Sequence, residues 1–91
     1  MTVRVRFFAY FRDLFGGKDR GLELPDGSSV GAALDLLCDS PARRAEIFDG
    51  GLLRPRIVVM INGAGLPAAT GPATPLRDGD VLAVFPMMGG G

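Results

Sequence analysis

The chain has 91 residues, 47% of them hydrophobic and 22% charged, with ten basic and ten acidic side chains. A chain of this length makes one domain with one modest core. Its zero formal charge argues against a nucleic-acid binder, because phosphate affinity rests on an excess of Lys and Arg. Histidine and tryptophan are absent and Cys38 is the single cysteine. That excludes an internal disulfide, the usual structural zinc patterns and an imidazole base near neutral pH. Lys18 is the only lysine beside nine arginines, which we read as a compositional bias. No apolar run reaches the ~18 residues of a membrane span, and the beginning lacks a signal-peptide layout. The expected location is cytoplasmic, with no membrane partner.

Residues 3–8 alternate with period two, which predicts a strand with Val3, Val5 and Phe7 on one face and Arg4, Arg6 and Phe8 on the other. Tyr10 to Phe15 predicts a helical turn ended by Gly16 and Gly17. Arg20 to Leu24 predicts a second strand with Leu22 and Leu24 inward, and Pro25, Asp26 and Gly27 predict a turn. Ser28 or Ser29 is a natural N-cap for a helix reaching Cys38, whose apolar stripe is Val30, Ala33, Leu34 and Leu37. Ser40 and Pro41 predict a second, short helix from Ala42 to Phe48, stopped by Gly50 and Gly51.

Arg56 to Ile61 is β-branched and strand-like, and Asn62-Gly63 suits a tight hairpin turn. Leu66 to Ala68 is the expected weak return strand, followed by a loop from Ala69 to Pro75. Asp78, Gly79 and Asp80 predict a turn, with the carboxylates capping backbone N–H groups rather than holding a metal. Val81 to Phe85 is continuous enough to lie centrally in a sheet, and Pro86 ends it. This order predicts an α+β chain: a mixed sheet of four to five strands with one main helix on one face. That is the β-grasp, ubiquitin-like fold, over residues 1–86, with residues 87–91 as a glycine tail. Gly63, Gly65 and Gly71 do not form a dinucleotide fingerprint, which needs a strand, a glycine-rich turn and a helix.

The tail is either a frayed end or a thin segment able to enter a narrow channel, because residues without Cβ atoms allow close backbone approach. Cys38 reads as a small buried hydrophobe, with a sulfur relay as the alternative. Arg4 and Arg6 read as a solvated face or a docking edge.

Residues Val5-Arg6-Phe7-Phe8-Ala9, Val58 to Gly63, Pro75 to Asp80 and Phe85-Pro86 through Gly90-Gly91 resemble the small subunit of molybdopterin synthase (MoaD-like). The resemblance spans Val3 to Gly91. It implies a sulfur carrier that is not an enzyme on its own and binds no cofactor. A ubiquitin-activating-like adenylyltransferase would consume ATP to adenylate the Gly91 carboxylate, next to Gly90. A sulfur donor protein would convert it to a thiocarboxylate. The synthase large subunit, expected to hold the catalytic residues, would transfer the sulfur to a pterin precursor for a molybdenum or tungsten cofactor. The resemblance places Phe8, Leu66 and Phe85 on a hydrophobic partner surface; Pro86, Met87, Met88 and Gly89 are the further candidates for partner binding, the Met pair reading either as a fit to an adaptable partner groove or as simple apolar filler. The chain departs from the family in its Met87-Met88 pair, where Pro or Val is common, and in Gly89, where Ala or Thr is usual. The alternatives are a sulfur carrier for thiamine, cysteine or transfer RNA, a protein modifier forming isopeptide bonds, and a plain interaction module.

Overall fold

A computed structural model describes residues 1–87. The first strand, β1, is Thr2–Phe7, and its side chains alternate exposed and buried along its whole length. A short helix, α1 (Phe11–Leu14), follows, and β2 (Asp19–Glu23) returns antiparallel to β1, with Val3 opposite Leu22.

The main helix, α2, is Val30–Leu37. Ser29 stands before it in extended conformation, and its Oγ accepts the Ala32 N–H at 3.1 Å. A cap of this kind is worth about 1 kcal/mol. Val30, Ala33, Leu34 and Leu37 are its buried stripe. Ser40 caps α3 (Pro41–Ile47) in the same way, accepting the Arg43 N–H at 3.2 Å. The chain then leaves α3 directly into β3 (Phe48–Asp49), which pairs antiparallel with β4 (Leu52–Leu53). Gly50 and Gly51, expected to do no more than stop the helix, are the two-residue loop of this hairpin. Gly50 takes φ of 64° at the first loop position, where glycine carries no steric cost.

Next come β5 (Ile57–Ile61) and β6 (Ala64–Gly65). Asn62 and Gly63 join them with φ of 49° and 86°, the double positive φ of the tight hairpin expected from the sequence. With only two loop residues, Ala64 must face Ile61 and Gly65 must face Met60. The return strand is therefore Ala64–Gly65 and not Leu66 to Ala68. The loop beyond it holds one 3-10 turn, Gly71–Ala73. The last strand, β7, is Val81–Pro86.

The five-stranded sheet has the order β2-β1-β7-β5-β6. Strand β7 lies in the middle, parallel to β1 and antiparallel to β5, which is the mixed β-grasp sheet. Its inner face carries Val3, Val5, Phe7, Val59, Leu82 and Val84, all at most 2% exposed. Leu34 and Leu37 of α2, Phe11, Ile47 and Leu53 belong to the same core, and the Phe7 and Phe15 rings stack at 4.6 Å.

Turns are fixed by side chains as well as by glycine. Asp80 accepts the Arg77 N–H at 2.8 Å and the Asn62 amide at 2.9 Å, and Asn62 Oδ1 in turn accepts the Val81 N–H at 3.0 Å. The Arg77 backbone bond first, and the Asn62 bond second, hold the Asp80 carboxyl below the usual carboxylate range. Asp78 accepts the Thr2 N–H at 2.7 Å. Asp80 thus serves as a turn former, whereas Asp78 caps a backbone N–H of β1 and ties the turn to that strand; no group of side chains able to hold a metal occurs among the described residues.

Candidate functional site

Among the described residues no helix or strand covers the face of the sheet turned away from α2, and that face is set by the same alternation that builds the core. Along β7 the residues between Leu82, Val84 and Pro86 are Val81, Ala83 and Phe85, each half-buried. Phe85 pairs with Val58 of β5, and Ala83 pairs with Met60. On the other side, Ala83 pairs with Arg6 of β1. Just beyond β1, Phe8 still follows the outward phase. Its N–H donates to the Val84 carbonyl at 3.3 Å, which continues the parallel ladder by one step. Ala9 then takes φ of 55° and turns the chain into α1.

Parallel pairing brings Phe8 and Phe85 side by side at one end of the sheet. Their rings meet edge to face, with centroids 5.8 Å apart and planes at 83°, a geometry favoured by the ring quadrupoles. They line a shallow apolar concavity. Phe8 remains 38% exposed, and the Arg12 guanidinium lies over its ring, 5.8 Å from the centroid. Two aromatics left partly in water, flanked by Val58, Met60 and Ala83, form the kind of patch that marks a partner site.

The other residues expected at this surface divide sharply. Met87 is 59% exposed and its N–H donates to the Arg56 carbonyl at 2.7 Å, so the antiparallel ladder runs one residue past β7. Pro86 is buried, because it shares the inward phase of Leu82 and Val84. Leu66 is also turned inward. Its N–H donates to the Val59 carbonyl at 2.9 Å, and its side chain packs against the core. Gly65, opposite Met60, holds the outward position on that strand. The structure therefore brings Phe8, Phe85 and Met87 to the sheet end and does not bring Leu66 or Pro86 to that face. Met88, Gly89, Gly90 and Gly91 lie outside the described residues. Sequence reading missed Val58, Met60 and Arg12 as neighbours of the pair. Alternation about buried Val59 was the available signal for the first two.

Cys38 is 4% exposed, and its Sγ donates to the Arg43 carbonyl at 3.7 Å. Burial pushes its thiol up to about 11, so the nucleophilic thiolate is scarce. In native protein at pH 8, alkylation of Cys38 is expected to run about 100-fold slower than in denaturant, from loss of thiolate alone. Timed iodoacetamide labelling followed by intact-mass analysis checks this. Equal rates in both states would restore the sulfur-relay reading.

Residues 5–91 match the ThiS family. Small archaeal modifier protein 3 of Haloferax volcanii is 34% identical over 92 residues, covering 100% of both chains. Among solved structures, small archaeal modifier protein 1 of Methanosarcina acetivorans superposes with a TM-score of 0.82 at 31% identity, covering 99% of this chain and 96% of that one. A putative molybdopterin converting factor subunit 1 from Pyrococcus furiosus gives 0.74 at 27% identity, covering 97% and 99%. No helix among the described residues is long and apolar enough to cross a membrane. With its β-grasp sheet, its central last strand and a match running from Val5 to the final glycine, this chain belongs to the ThiS family of ubiquitin-like sulfur carriers, small proteins that bear a group for other enzymes and are not catalysts themselves.

Proposed function

We propose that this chain carries sulfur as a thiocarboxylate on Gly91 and delivers it to a pterin precursor during molybdopterin synthesis. The observation that carries the reading is the Phe8–Phe85 pair, part-exposed on the sheet end from which β7 leads toward residues 88–91. A partner gripping that pair holds the tail at a fixed distance from its own reactive centre. The likeness to the Pyrococcus furiosus factor supports the molybdopterin sink.

The chemistry follows from a carboxylate with no side chain beside it. The Gly91 carboxylate attacks the α-phosphate of ATP on an activating enzyme, forming an acyl–phosphate bond as pyrophosphate leaves. A persulfide on a donor protein then attacks the acyl carbon and AMP leaves, giving an acyl disulfide. A second thiolate attacks the donor's sulfur, breaks the S–S bond and releases the Gly91 thiocarboxylate, while the donor and that thiol are left joined as a disulfide. ATP is consumed by the activating enzyme, and the chain itself holds no cofactor. The synthase large subunit is the partner that takes the sulfur.

A second reading is favoured by the full-length likeness to small archaeal modifier protein 3. There a lysine amine attacks the same acyl-adenylate and an isopeptide bond results. The two readings share the activation step and part at the nucleophile.

The test begins with purified chain, activating enzyme, ATP and a sulfur source. Intact-mass analysis should show one oxygen replaced by sulfur. Adding the large subunit and pterin precursor should then return the carrier to its starting mass as the dithiolene forms. A thiocarboxylate that the large subunit leaves untouched would move the chain to another sulfur sink. Lysine conjugates formed without sulfur gain would favour the modifier reading. In the same assay Phe85→Ala should weaken binding to the large subunit by about 30-fold, the size expected for a central aromatic anchor worth roughly 2 kcal/mol or more. Its melting temperature should stay near wild type. Unchanged affinity, or an unfolded variant, would place Phe85 in the core instead.

A further inference from the structure

Helix α1 is a single turn of four residues, Phe11–Leu14, and no side chain caps its start. One turn fixes several backbone angles for very few hydrogen bonds and does not stand alone in water, so its neighbours have to hold it. The link that leads into it is no firmer. The Phe8 N–H reaches the Val84 carbonyl at 3.3 Å, longer than the usual ~2.9–3.0 Å of such a bond. Ala9 then takes φ of 55°, a left-handed conformation that a residue with a Cβ keeps only where its surroundings impose it. The sheet ladder alone therefore holds Phe8 weakly.

Helix α3 supplies the hold, chiefly through Arg43. The Arg43 Nε donates to the Leu14 carbonyl at 2.8 Å, one of the carbonyls that a helix end leaves without an intrahelical partner. Its guanidinium lies over the Phe15 ring, 5.6 Å from the centroid, and Phe15 stacks on Phe7. Asp39 orients the group, accepting from its terminal nitrogen at 2.8 Å, and only 25% of the side chain is exposed. Further along α3, Glu46 accepts the Tyr10 hydroxyl at 3.1 Å. Both ends of α1 are thus tied to α3. Between them stands Arg12, whose Nε donates to the Phe7 carbonyl at 3.3 Å while its guanidinium covers the Phe8 ring.

We propose that Arg43 is a positioning residue for partner binding: by holding α1 it keeps Arg12 over Phe8, so that Phe8 meets its partner already set edge to face against Phe85. This rests on the reading above, in which the aromatic pair seats a partner. Arg43 acts through α1, so no partner residue has to touch it for its loss to be felt. A side chain ordered beforehand does not have to be ordered by the partner, a step that otherwise lowers affinity.

The experiment is a double-mutant cycle on the full chain, with Arg43→Met and Phe8→Ala made singly and together, and Arg43→Lys beside them. Affinity for the purified synthase large subunit is measured by calorimetry. Arg43→Met should weaken binding by about 2- to 10-fold, the cost of ordering one side chain at an interface. Sulfur transfer from the thiocarboxylated carrier at saturating large subunit should keep its wild-type rate. In the Phe8→Ala background the same substitution should weaken binding no further. Arg43→Lys keeps a cation for Asp39 and a donor for Leu14, and should retain most of the affinity. Tyr10 is the only tyrosine and tryptophan is absent, so the tyrosine band of the near-ultraviolet circular dichroism reports α1. That band should fall in free Arg43→Met while melting stays cooperative, and nuclear Overhauser contacts between the Phe8 and Phe85 rings should weaken with it.

An equal loss of affinity with and without Phe8 would mean that Arg43 acts on the fold as a whole, and would overturn the proposal. Undiminished ring contacts and tyrosine signal in Arg43→Met would do the same. If Arg43→Met does not fold, Arg12→Met, which leaves α3 untouched, goes through the same cycle. Additivity with Phe8→Ala would then break the last link of the relay, and its absence would support it. A wild-type chain that does not bind the large subunit would remove the partner reading, while the ring contacts of the free variants would still decide the role of Arg43.

Discussion

Appending one residue after Gly91 is expected to abolish activation. The reaction needs the α-carboxylate of Gly91 at the α-phosphate of ATP, and the added residue moves that carboxylate away while bringing a side chain into a channel that must exclude water from a labile acyl-adenylate. Deleting Gly91 tests the same geometry from the other side. The shortened chain still ends in Gly89-Gly90, so the terminal dipeptide is unchanged, but its reach falls by ~3.3–3.6 Å. Misplacement of about 1 Å can cost ~100-fold in rate, so the truncated carrier should be activated at least that much more slowly. Intact-mass analysis of sulfur incorporation with time, against wild type, reads both variants. An extended chain that gains sulfur as fast as wild type would sink the tail-as-substrate reading and return residues 89–91 to an ordinary chain end.

Truncating Leu34 is expected to have the largest effect on stability. Leu34 is 1% exposed on the inner face of α2, in the cluster formed with the sheet's inner residues. Leu34→Ala removes buried methyl groups and leaves a cavity that neighbouring side chains refill only in part, at a cost of ~2–5 kcal/mol. For a domain of this size each kcal/mol lowers the melting temperature by roughly 4–8 °C. The drop should therefore exceed about 8 °C, and the upper end approaches the whole stability of a small domain. Leu36→Ala on the same helix is the control. Leu36 is 54% exposed, and its truncation should stay within about 0.5 kcal/mol of wild type. Urea denaturation of the two variants separates these cases. Similar midpoints for both would contradict the packing of α2 on the sheet.

The contrast between Leu34 and Leu66 shows why part of the site was legible and part was not. Helical spacing alone assigned Leu34 to the core, because its stripe-mates Val30, Ala33 and Leu37 stand at fixed offsets on one helix face. The side of the sheet taken by Leu66 depends on how many residues turn the hairpin before it, and a slip of one residue reverses every side chain after it. The two-residue Asn62-Gly63 turn sets that count and sends Leu66 inward beside Val59. Pro86 is a similar case, since one strand carries both an outward Phe85 and an inward Pro86.

The sequence by itself determined the local elements. Period-two alternation turned Val3, Val5 and Phe7 inward and Phe8 outward, Ser29 and Ser40 marked two helix starts, and Asn62-Gly63 marked a hairpin. Each of these is set by steric and hydrogen-bonding preferences within a few residues. The tertiary structure alone decided what depends on pairing between distant segments. Parallel pairing of β1 with β7 put Phe8 against Phe85. The ladder between β5 and β7 set Arg56 opposite Met87, and the packing of α1 laid Arg12 over Phe8. The β3–β4 hairpin needed the same kind of decision, since two-residue strands carry too little pattern to be seen in sequence and form where flanking elements hold their ends. Local preference thus made the pieces of this carrier, while strand register, which no short segment encodes, assembled its exposed aromatic pair.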